Sequence, residues 1–125
     1  MLLNITRDLV ADALIGGGAY AAFNNANARL CVGDSTTAEA VGQTDLQAAT
    51  NKLRKAMDAT YPTRSANVLT FRATFSTSEA NWAWNEWAIA NAASGGQIMN
   101  RKVQSSGTKG SGSTWQATAT VTVGV

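Results

Sequence analysis

The strict alternation of apolar and polar residues over positions 114–123 is the feature that most limits how this chain can fold. The two sets are Trp115, Ala117, Ala119, Val121 and Val123 on one side, and Thr114, Gln116, Thr118, Thr120 and Thr122 on the other. Successive side chains of a β-strand point to opposite faces, so the pattern predicts a strand whose apolar set points inward. Threonine suits the pleated outer surface. Because an open edge invites strand addition, we expect this strand to be paired internally or used in assembly.

Two earlier stretches also have a strand-like pattern. Residues 67–75 alternate with an apolar set that faces one way, namely Leu69, Phe71, Ala73 and Phe75. Residues 81–91 are bulky at both alternating sets, which predicts a central strand covered on both faces. This stretch holds Trp82, Trp84 and Trp87. In a regular strand Trp84 and Trp87 point to opposite faces, one into the core and the other under a helix or at a subunit contact.

Turn and loop signals separate the remaining strand patterns. The glycine-rich residues 92–96 predict a turn, after which 97–104 returns as a strand and forms a hairpin with 81–91. Residues 27–33 predict an earlier strand. Residues 105–113 are rich in serine and glycine, and that composition predicts a flexible loop.

The N-terminal residues predict a short helix. Over 4–15 the apolar residues recur at helical spacing, and Asn4 or Thr6 is placed to cap the first turn. The three glycines at 16–18 would end this helix, because glycine adopts the left-handed conformation of a helix C-terminus at little cost.

Residues 44–59 predict a second helix. Thr44 and Gln47 match a capping box, and apolar residues follow at helical spacing at Leu46, Ala49, Leu53, Ala56 and Met57. The basic residues 52–55 fall late in this helix, where its dipole favours them. They indicate either a solvated face or a surface for an acidic partner.

Together these elements predict a mainly β protein with one or two helices, folded as a small antiparallel β-sandwich with a helix packed across it. The 125 residues are a single-domain length, with residues 1–25 as an N-terminal helical segment of that domain. A fully buried aromatic side chain contributes roughly 1.5–3 kcal/mol. We therefore expect the largest contributions to stability from the aromatic residues Phe71, Phe75, Trp87 and Trp115.

The composition excludes several kinds of site. The chain has no histidine and a single cysteine, Cys31, so it has neither an intrachain disulfide nor a Cys–His nucleophile nor a histidine-ligated metal. No apolar run approaches the roughly 18 residues of a membrane span, and the N-terminus lacks a secretory signal pattern. We predict no catalytic residues, no cofactor, no metal site and no membrane association, in a protein made and used without secretion.

Glu86 is the charged residue with the most unusual neighbours, because it lies between Trp84 and Trp87. A carboxyl group among apolar rings would have a raised pKa suited to a general acid, but that role requires a second positioned group. The alternative is that Glu86 pairs with Arg72 or Arg101 across strands, or accepts hydrogen bonds from backbone N–H groups of a loop. We favour this structural role.

Tryptophans near basic residues also fit a platform for a sugar or for single-stranded nucleic acid. Trp82 or Trp84 would be the stacking ring. The net charge is only +2, and the basic residues are divided among 52–55, Arg72 and 101–102 rather than forming one stripe. Nucleic-acid binding is therefore not expected, and a small glycan- or nucleic-acid-binding module is kept as the alternative of a different class.

Several short motifs follow one another between residues 28 and 103. They are Val-Gly-Asp-Ser-Thr-Thr-Ala at 32–38, a Thr-Asp-Leu start with a basic tail in 44–55, the aromatic strand at 68–75, Asn-Glu-Trp-Ala-Ile at 85–89, and Met-Asn-Arg-Lys after a Gly-Gly turn. This order resembles that of small structural proteins of tailed bacteriophages, in particular the particle-proximal N-terminal domains of tail-collar and tail-fibre proteins. Two features depart from the family: Trp87 replaces a smaller residue, and no fibre shaft precedes the end at Val125.

The resemblance implies a non-enzymatic virion protein, made in the host cytoplasm and incorporated into the phage particle. Its partners would be other copies of itself, in a trimer or larger ring, and other virion proteins. A tail, baseplate or tail-fibre-attachment component is the first expectation, and a capsid decoration protein is the alternative. No catalytic residue is carried over from the family. The candidates for structure or assembly are Glu86, Arg72, Arg101, Trp82, Trp84, Trp87 and Trp115.

Overall fold

The computed structural model describes residues 1–124, which form a helix and two antiparallel β-sheets. In chain order the elements are α1 (Asn4–Leu14), β1 (Arg29–Gly33), β2 (Lys52–Ala56), β3 (Thr63–Ser65), β4 (Val68–Phe75), β5 (Glu86–Ala90), β6 (Ile98–Val103) and β7 (Trp115–Thr122). The predicted class, a mainly β sandwich with a helix, is confirmed.

The two sheets differ in width. The four-stranded sheet, sheet A, has the order β2-β1-β5-β6, and the three-stranded sheet, sheet B, has the order β3-β4-β7. Strand β5 is thus a central strand, and it pairs with β6 as the predicted hairpin. The longest ladder joins β4 to β7, from Val68 opposite Thr122 to Phe75 opposite Trp115. Both alternating stretches therefore form one continuous pair.

Side chains from both sheets form the main core between them. Its buried members are Ala28, Leu30, Val32, Phe71, Ala73, Phe75, Ala80, Trp84, Ile89, Met99 and Val121. A second, smaller cluster joins Leu3, Cys31, Leu46, Ala88, Ala90 and Ile98. Neighbouring positions along β5 contribute to different clusters, so both faces of sheet A are covered.

Helix α1 has nearly the predicted bounds. The N-cap residue is Leu3, and no side chain caps the helix, so the predicted caps Asn4 and Thr6 are wrong. The Thr6 hydroxyl instead donates to the carbonyl of Met99 at 2.6 Å. Gly16 follows the helix with a φ of +70°, as expected for a glycine that ends a helix. Only Leu9 is buried within α1, so most of this helix faces solvent.

The predicted helix over 44–59 is wrong. Residues 52–56 form strand β2, which pairs with β1, and the residues before it are irregular. The apolar residues that suggested one helical face are divided between two clusters: Leu46 packs in the smaller cluster, whereas Leu53 and Met57 pack against the main core. No single helix face could reach both, so tertiary packing overrides the helical period.

The predicted strand over 81–91 is correct only in its second half, because β5 begins at Glu86. The φ of Ala80 is +53°, and the chain from there to Asn85 is irregular. As a result Trp84 and Trp87 both pack with the main core. The prediction that their rings point to opposite faces assumed a regular strand and is wrong.

Residues 105–113 lie outside the regular strands, and their backbone is hydrogen-bonded to the tryptophan segment. The N–H of Trp84 donates to the carbonyl of Gly107 at 2.8 Å, and the N–H of Ser106 donates to the carbonyl of Trp84 at 2.8 Å. Lys109 donates from its backbone to Trp82 at 3.1 Å. These bonds hold the serine- and glycine-rich segment against the start of β5.

Candidate functional site

Glu86 and Arg101 form an ion pair that is fully enclosed. The Nε of Arg101 lies 2.7 Å from Oε2 of Glu86, and both side chains have 0% exposure. Backbone N–H groups of Gln47 and Ala48 also donate to the two carboxylate oxygens, each at 2.9 Å. The sequence offered Arg72, Arg101 or backbone N–H groups of a loop as partners of Glu86, and the structure shows Arg101 and the loop backbone.

The same pair fixes the long connection between β1 and β2. Arg101 donates through Nη1 to the carbonyl of Thr37 at 2.8 Å and to Oε1 of Gln43 at 3.2 Å. A Cβ at Gly33 would collide with the carboxylate of Glu86, so this position accepts only glycine while Glu86 is in place. The carboxylate is therefore an internal anchor with no surface through which a substrate could reach it.

Arg72 belongs to a different cluster. Its Nε lies 3.0 Å from Oδ2 of Asp58, and its guanidinium carbon lies 4.3 Å from the centre of the Tyr61 ring. Thr74 donates to the same carboxylate at 3.0 Å. The alternative that paired Arg72 with Glu86 is therefore wrong, and Arg72 holds the segment after β2 against β4.

Trp84 is at the centre of an aromatic group in the core. Its ring lies edge-on to Phe75, with centroids 4.8 Å apart, and edge-on to Trp115 at 5.0 Å. The indole N–H donates to the carbonyl of Ala80 at 3.0 Å, and only 6% of the residue is exposed. Trp84 therefore cannot serve as the stacking platform considered for it, because both ring faces are enclosed by protein.

Trp82, Trp87 and Trp115 are partly buried and pack at the margin of the core. Trp87 and Trp115 both line a groove of about 570 Å³ between the two sheets. We call this the β7 groove: β5 contributes Trp87, the residue after β6 contributes Gln104, and β7 contributes Trp115, Ala117 and Ala119. Trp82 lies outside this lining, and its buried indole N–H lacks a partner among the described residues.

The β7 groove continues past Trp87. A second depression of about 200 Å³ is lined by Trp87, Asn100 and Lys102 from sheet A and by Thr120 and Thr122 from β7. Trp87 is common to both depressions, so together they follow β7 along most of its length. The groove is thus lined by sheet A on one side and by β7 on the other, and Met1 and Leu2 line its second part.

A second exposed surface lies at the end of α1. Leu14 is 81% exposed and Ile15 is 84% exposed, and Val10 and Tyr20 are also exposed large hydrophobic residues. Apolar residues at the surface are common singly, whereas here four large ones lie within residues 10–20.

Most of the basic residues considered for a nucleic-acid surface are paired with acids. Arg54 and Lys52 contact Asp45, and Lys55 contacts Glu79 at 2.8 Å. These pairs reduce the positive potential of strand β2, which explains the cluster without a ligand. The acidic groups that contact the basic residues 52–55 thus belong to the same chain.

Two groups have shifted pKa values with simple causes. Hydrogen bonds from Lys55, and then from the backbone N–H of Ser76, lower the pKa of Glu79 from 4.5 to about 2. Burial raises the pKa of the Cys31 thiol to about 12, and the residue has 0% exposure. Cys31 is therefore protonated and inaccessible at neutral pH.

Lys109 is a buried cation that the sequence did not predict. It is 1% exposed, and its ammonium group donates to the carbonyl of Ser76 at 2.6 Å and to Oδ1 of Asn81 at 2.8 Å. It therefore ties the 105–113 segment to the turn after β4. The surrounding serine and glycine residues are typical of solvated loops, so no local signal indicates this burial.

In the described part of the chain, no three histidine, cysteine, aspartate or glutamate side chains lie close enough to hold a metal ion. Across residues 1–124, no helix is long and apolar enough to cross a membrane. Comparison of the sequence with protein-family models and curated proteins, and of the chain with solved structures, finds no match.

Proposed function

We propose that this chain is a non-enzymatic structural protein of a tailed bacteriophage that assembles with copies of itself in the virion. Its first proposed location is the tail, as a baseplate or tail-fibre-attachment component, and a capsid decoration protein is the alternative. The order of motifs between residues 28 and 103 supports the phage assignment. The contacts would be with other copies, in a trimer or larger ring, and with other virion proteins.

The observation that carries the assembly part of the proposal is the state of strand β7. This eight-residue edge strand is uncharged, and its outward residues are exposed threonine and glutamine. It pairs with β4 on one side, and among the described residues nothing pairs with its other side. A long, neutral, open edge is rare in a protein that functions as a monomer, because it favours association with another chain.

The exposed apolar residues at the end of α1 support the same proposal. Leu14 and Ile15 leave most of their surface in water. Covering them in an assembly would recover the hydrophobic free energy, at about 25 cal/mol per Å² of apolar surface. Small neutral residues elsewhere on the surface are also cheap to desolvate, as repeated contacts between copies require.

Two measurements test this proposal. Light scattering over a range of protein concentrations should show a trimer or a larger closed oligomer. Immunogold labelling of phage particles should place the protein on the particle, and gold on the tail or on the head decides between the two locations. A strict monomer that is absent from purified particles would overturn the proposal.

One observation favours a second candidate, the binding of a neutral glycan. The β7 groove combines the rings of Trp87 and Trp115 with the amide of Gln104 and the hydroxyl of Ser106. Aromatic faces together with uncharged hydrogen-bonding groups suit a sugar ring. Titration of neutral oligosaccharides with tryptophan fluorescence as the readout tests it. A saturable change that Trp87→Ala removes would support a glycan site, and no change at millimolar sugar would reject it.

A further inference from the structure

Residues 1–14, which we call the N-terminal arm, lie along the edge of sheet A and end in helix α1. Leu2 forms an antiparallel bridge with Asn100 of β6. The N–H of Leu3 donates to the carbonyl of Met99 at 3.0 Å. The arm thus contributes a short edge strand to sheet A, followed by a helix that packs beside β6.

Sheet A requires an arm at this place. Leu3 is fully buried in a cluster with Ala88 of β5 and Ile98 of β6. Without the arm this cluster would be exposed, and the backbone groups on the outer side of β6 would lose their partners. The same contacts form whichever copy supplies the arm, because the partner residues belong to strands that are far from the arm along the chain.

A short hinge joins the arm to the rest of its own copy. The N–H groups of residues 15–17 donate to carbonyls of α1, so this turn belongs to the arm. Residues 18–20 follow, and they are exposed and lie outside helix and strand. Within residues 1–124 their backbone groups neither donate nor accept a hydrogen bond. The chain is held again at Ala21, whose carbonyl accepts a hydrogen bond from Asn91 at 2.9 Å.

The hinge allows the arm to reach a neighbouring copy. Gly18 has a φ of +84°, and glycine adopts positive and negative φ about equally well, so the direction of the hinge changes at low cost. Three extended residues span about 10 Å. That distance is enough to direct the arm onto an adjacent copy while Ala21 keeps its place.

Large apolar side chains are exposed where the arm meets the hinge. Val10 is 42% exposed, Leu14 is 81% exposed and Ile15 is 84% exposed. An arm that lies on its own copy leaves these side chains in water. When the hinge crosses from one copy to the next, this end of the arm lies between the two copies, so the same side chains gain cover and the hydrophobic free energy is recovered.

We infer that the N-terminal arm of each copy lies on β6 of the next copy in the assembly, with residues 18–20 as the hinge. This inference rests on the proposed self-assembly and specifies one of its contacts. Exchange of an identical element needs no new complementary surface, because the contacts of the arm are those already formed within the single chain. It leaves β7 free for a further contact. Donation from each copy to the next closes into a ring.

A pair of cysteines between the arm and the sandwich reports which copy supplies the arm. The N–H of Asn4 donates to the carbonyl of Val41 at 2.9 Å, so the double variant Asn4→Cys and Val41→Cys places two thiols close together. The protein is oxidised, remaining thiols are blocked, and the chains are separated by denaturing, non-reducing electrophoresis. A ladder of covalent oligomers is expected, because the linked cysteines belong to different chains. The native Cys31 is fully buried and does not react.

The matched control is the double variant Asp34→Cys and Asn51→Cys. These positions are joined by the same kind of bond, from the N–H of Asp34 to the carbonyl of Asn51 at 3.2 Å. Both follow the hinge in the chain, so this pair links within one chain whether or not the arm is exchanged, and it should run as a monomer. Each double variant is first checked for the native unfolding transition and the native oligomer size.

A second measurement uses the unaltered chain. Met1 and Lys102 line the same depression, so an amine-reactive cross-linker can join their amino groups. Equal amounts of chains with normal and with heavy nitrogen are unfolded, mixed and refolded together before cross-linking and digestion. Mass spectrometry should find as many mixed-label pairs of these two peptides as same-label pairs, because the arm and the strand come from different chains.

The outcomes separate the exchanged arm from self-assembly. An oligomer in which Asn4→Cys and Val41→Cys link only within single chains, or in which every Met1 and Lys102 pair carries one label, would overturn the exchange and leave self-assembly standing. Unreacted thiols beside a linked control would also overturn it, because the arm would then not lie against residue 41 of any copy. A protein that is a monomer at every concentration would overturn both.

Discussion

The edge strands β6 and β7 belong to different sheets, and their outer sides differ in backbone hydrogen bonding. Along β6 the N-terminal residues act as a cover: the N–H of Leu3 donates to the carbonyl of Met99 at 3.0 Å, and the N–H of Arg101 donates to the carbonyl of Met1 at 3.0 Å. Along the outer side of β7, no equivalent bond is found within residues 1–124. One edge is thus closed by the chain itself, whereas the other is left open.

The remaining edges show that the opening at β7 is specific. Strand β2 carries Lys52, Arg54 and Lys55, and strand β3 has three residues. Charge, shortness and coverage are the usual means by which proteins protect sheet edges from pairing with other chains. Strand β7 has eight residues and no charge, and within residues 1–124 no segment pairs with its outer side. The edges at β2, β3 and β6 are therefore protected from pairing with another chain, whereas the edge at β7 is open.

The largest expected loss of stability comes from breaking the ion pair between Glu86 and Arg101, which joins β5 to the covered edge strand β6. Glu86→Ala leaves the guanidinium of Arg101 buried without its carboxylate, and losing one partner of a buried pair costs about 3–5 kcal/mol. The free energy of unfolding from urea denaturation measures this. Lys52→Ala is the matched control, since its pair with Asp45 is 3.7 Å long and exposed, and such a pair contributes at most about 1 kcal/mol. Equal losses in both variants would contradict the structural role of Glu86.

A smaller loss is expected when the cover itself is weakened. Leu3 has 0% exposure and lies in the cluster with Ala88 and Ile98. Leu3→Ala should lower the free energy of unfolding by about 2–5 kcal/mol, the usual range for a buried leucine. Leu14→Ala, at an 81% exposed position of α1, should change the free energy of unfolding by less than about 0.5 kcal/mol. If the two variants unfolded alike, residues 1–3 would not protect β6.

The charged edge β2 should respond to pH through Glu79. The folded-state pKa of Glu79 is lowered from 4.5 to about 2, so its pair with Lys55 stabilises the fold above pH 4.5 and loses that effect as the pH falls toward 2. Wild type should therefore be more stable than Glu79→Gln at pH 7, with a difference that shrinks across this interval. Urea denaturation at several pH values measures it. Lys55→Met should reduce this pH dependence and leave the part that comes from the Ser76 N–H. A difference between wild type and Glu79→Gln that stays constant with pH would contradict the assignment.

The smallest effect on stability, but a clear effect on assembly, is expected at the open edge. Thr120→Lys adds a charge to an exposed position of β7, and it should change the free energy of unfolding by less than about 0.5 kcal/mol. The charge should nevertheless weaken association, as charged residues do on natural edges. Light scattering at matched concentrations checks this. Thr63→Lys, on the short edge β3, should leave the oligomer size unchanged.

Much of sheet B could be predicted from the sequence. Strands β4 and β7 alternate strictly, and their burial follows the predicted faces from Phe71 to Phe75 and at Val121. A period of two assigns each side chain to a face without knowledge of the partner strand. Strand β3 was not predicted, because three residues are too few to show a period.

The candidate site was predictable only in part. The environment of Glu86 indicated an internal ion pair, but Arg72 and Arg101 were equally available in the sequence. The choice depends on sheet order: β6 is next to β5, so Arg101 reaches Glu86, whereas Arg72 lies in sheet B. The groove beside β7 was not predicted, because its lining comes from segments far apart in the chain.

The sequence by itself determined which stretches alternate, and hence the mainly β class, the faces of β4 and β7, and the neutrality of the last strand. Those properties follow from the local geometry of a strand, in which neighbouring side chains point to opposite faces. Only the tertiary structure decided that 52–56 is a strand, that Arg101 pairs with Glu86, and that β7 keeps one side open. These depend on which segments become neighbours in space, and contacts between distant residues leave no period in the sequence.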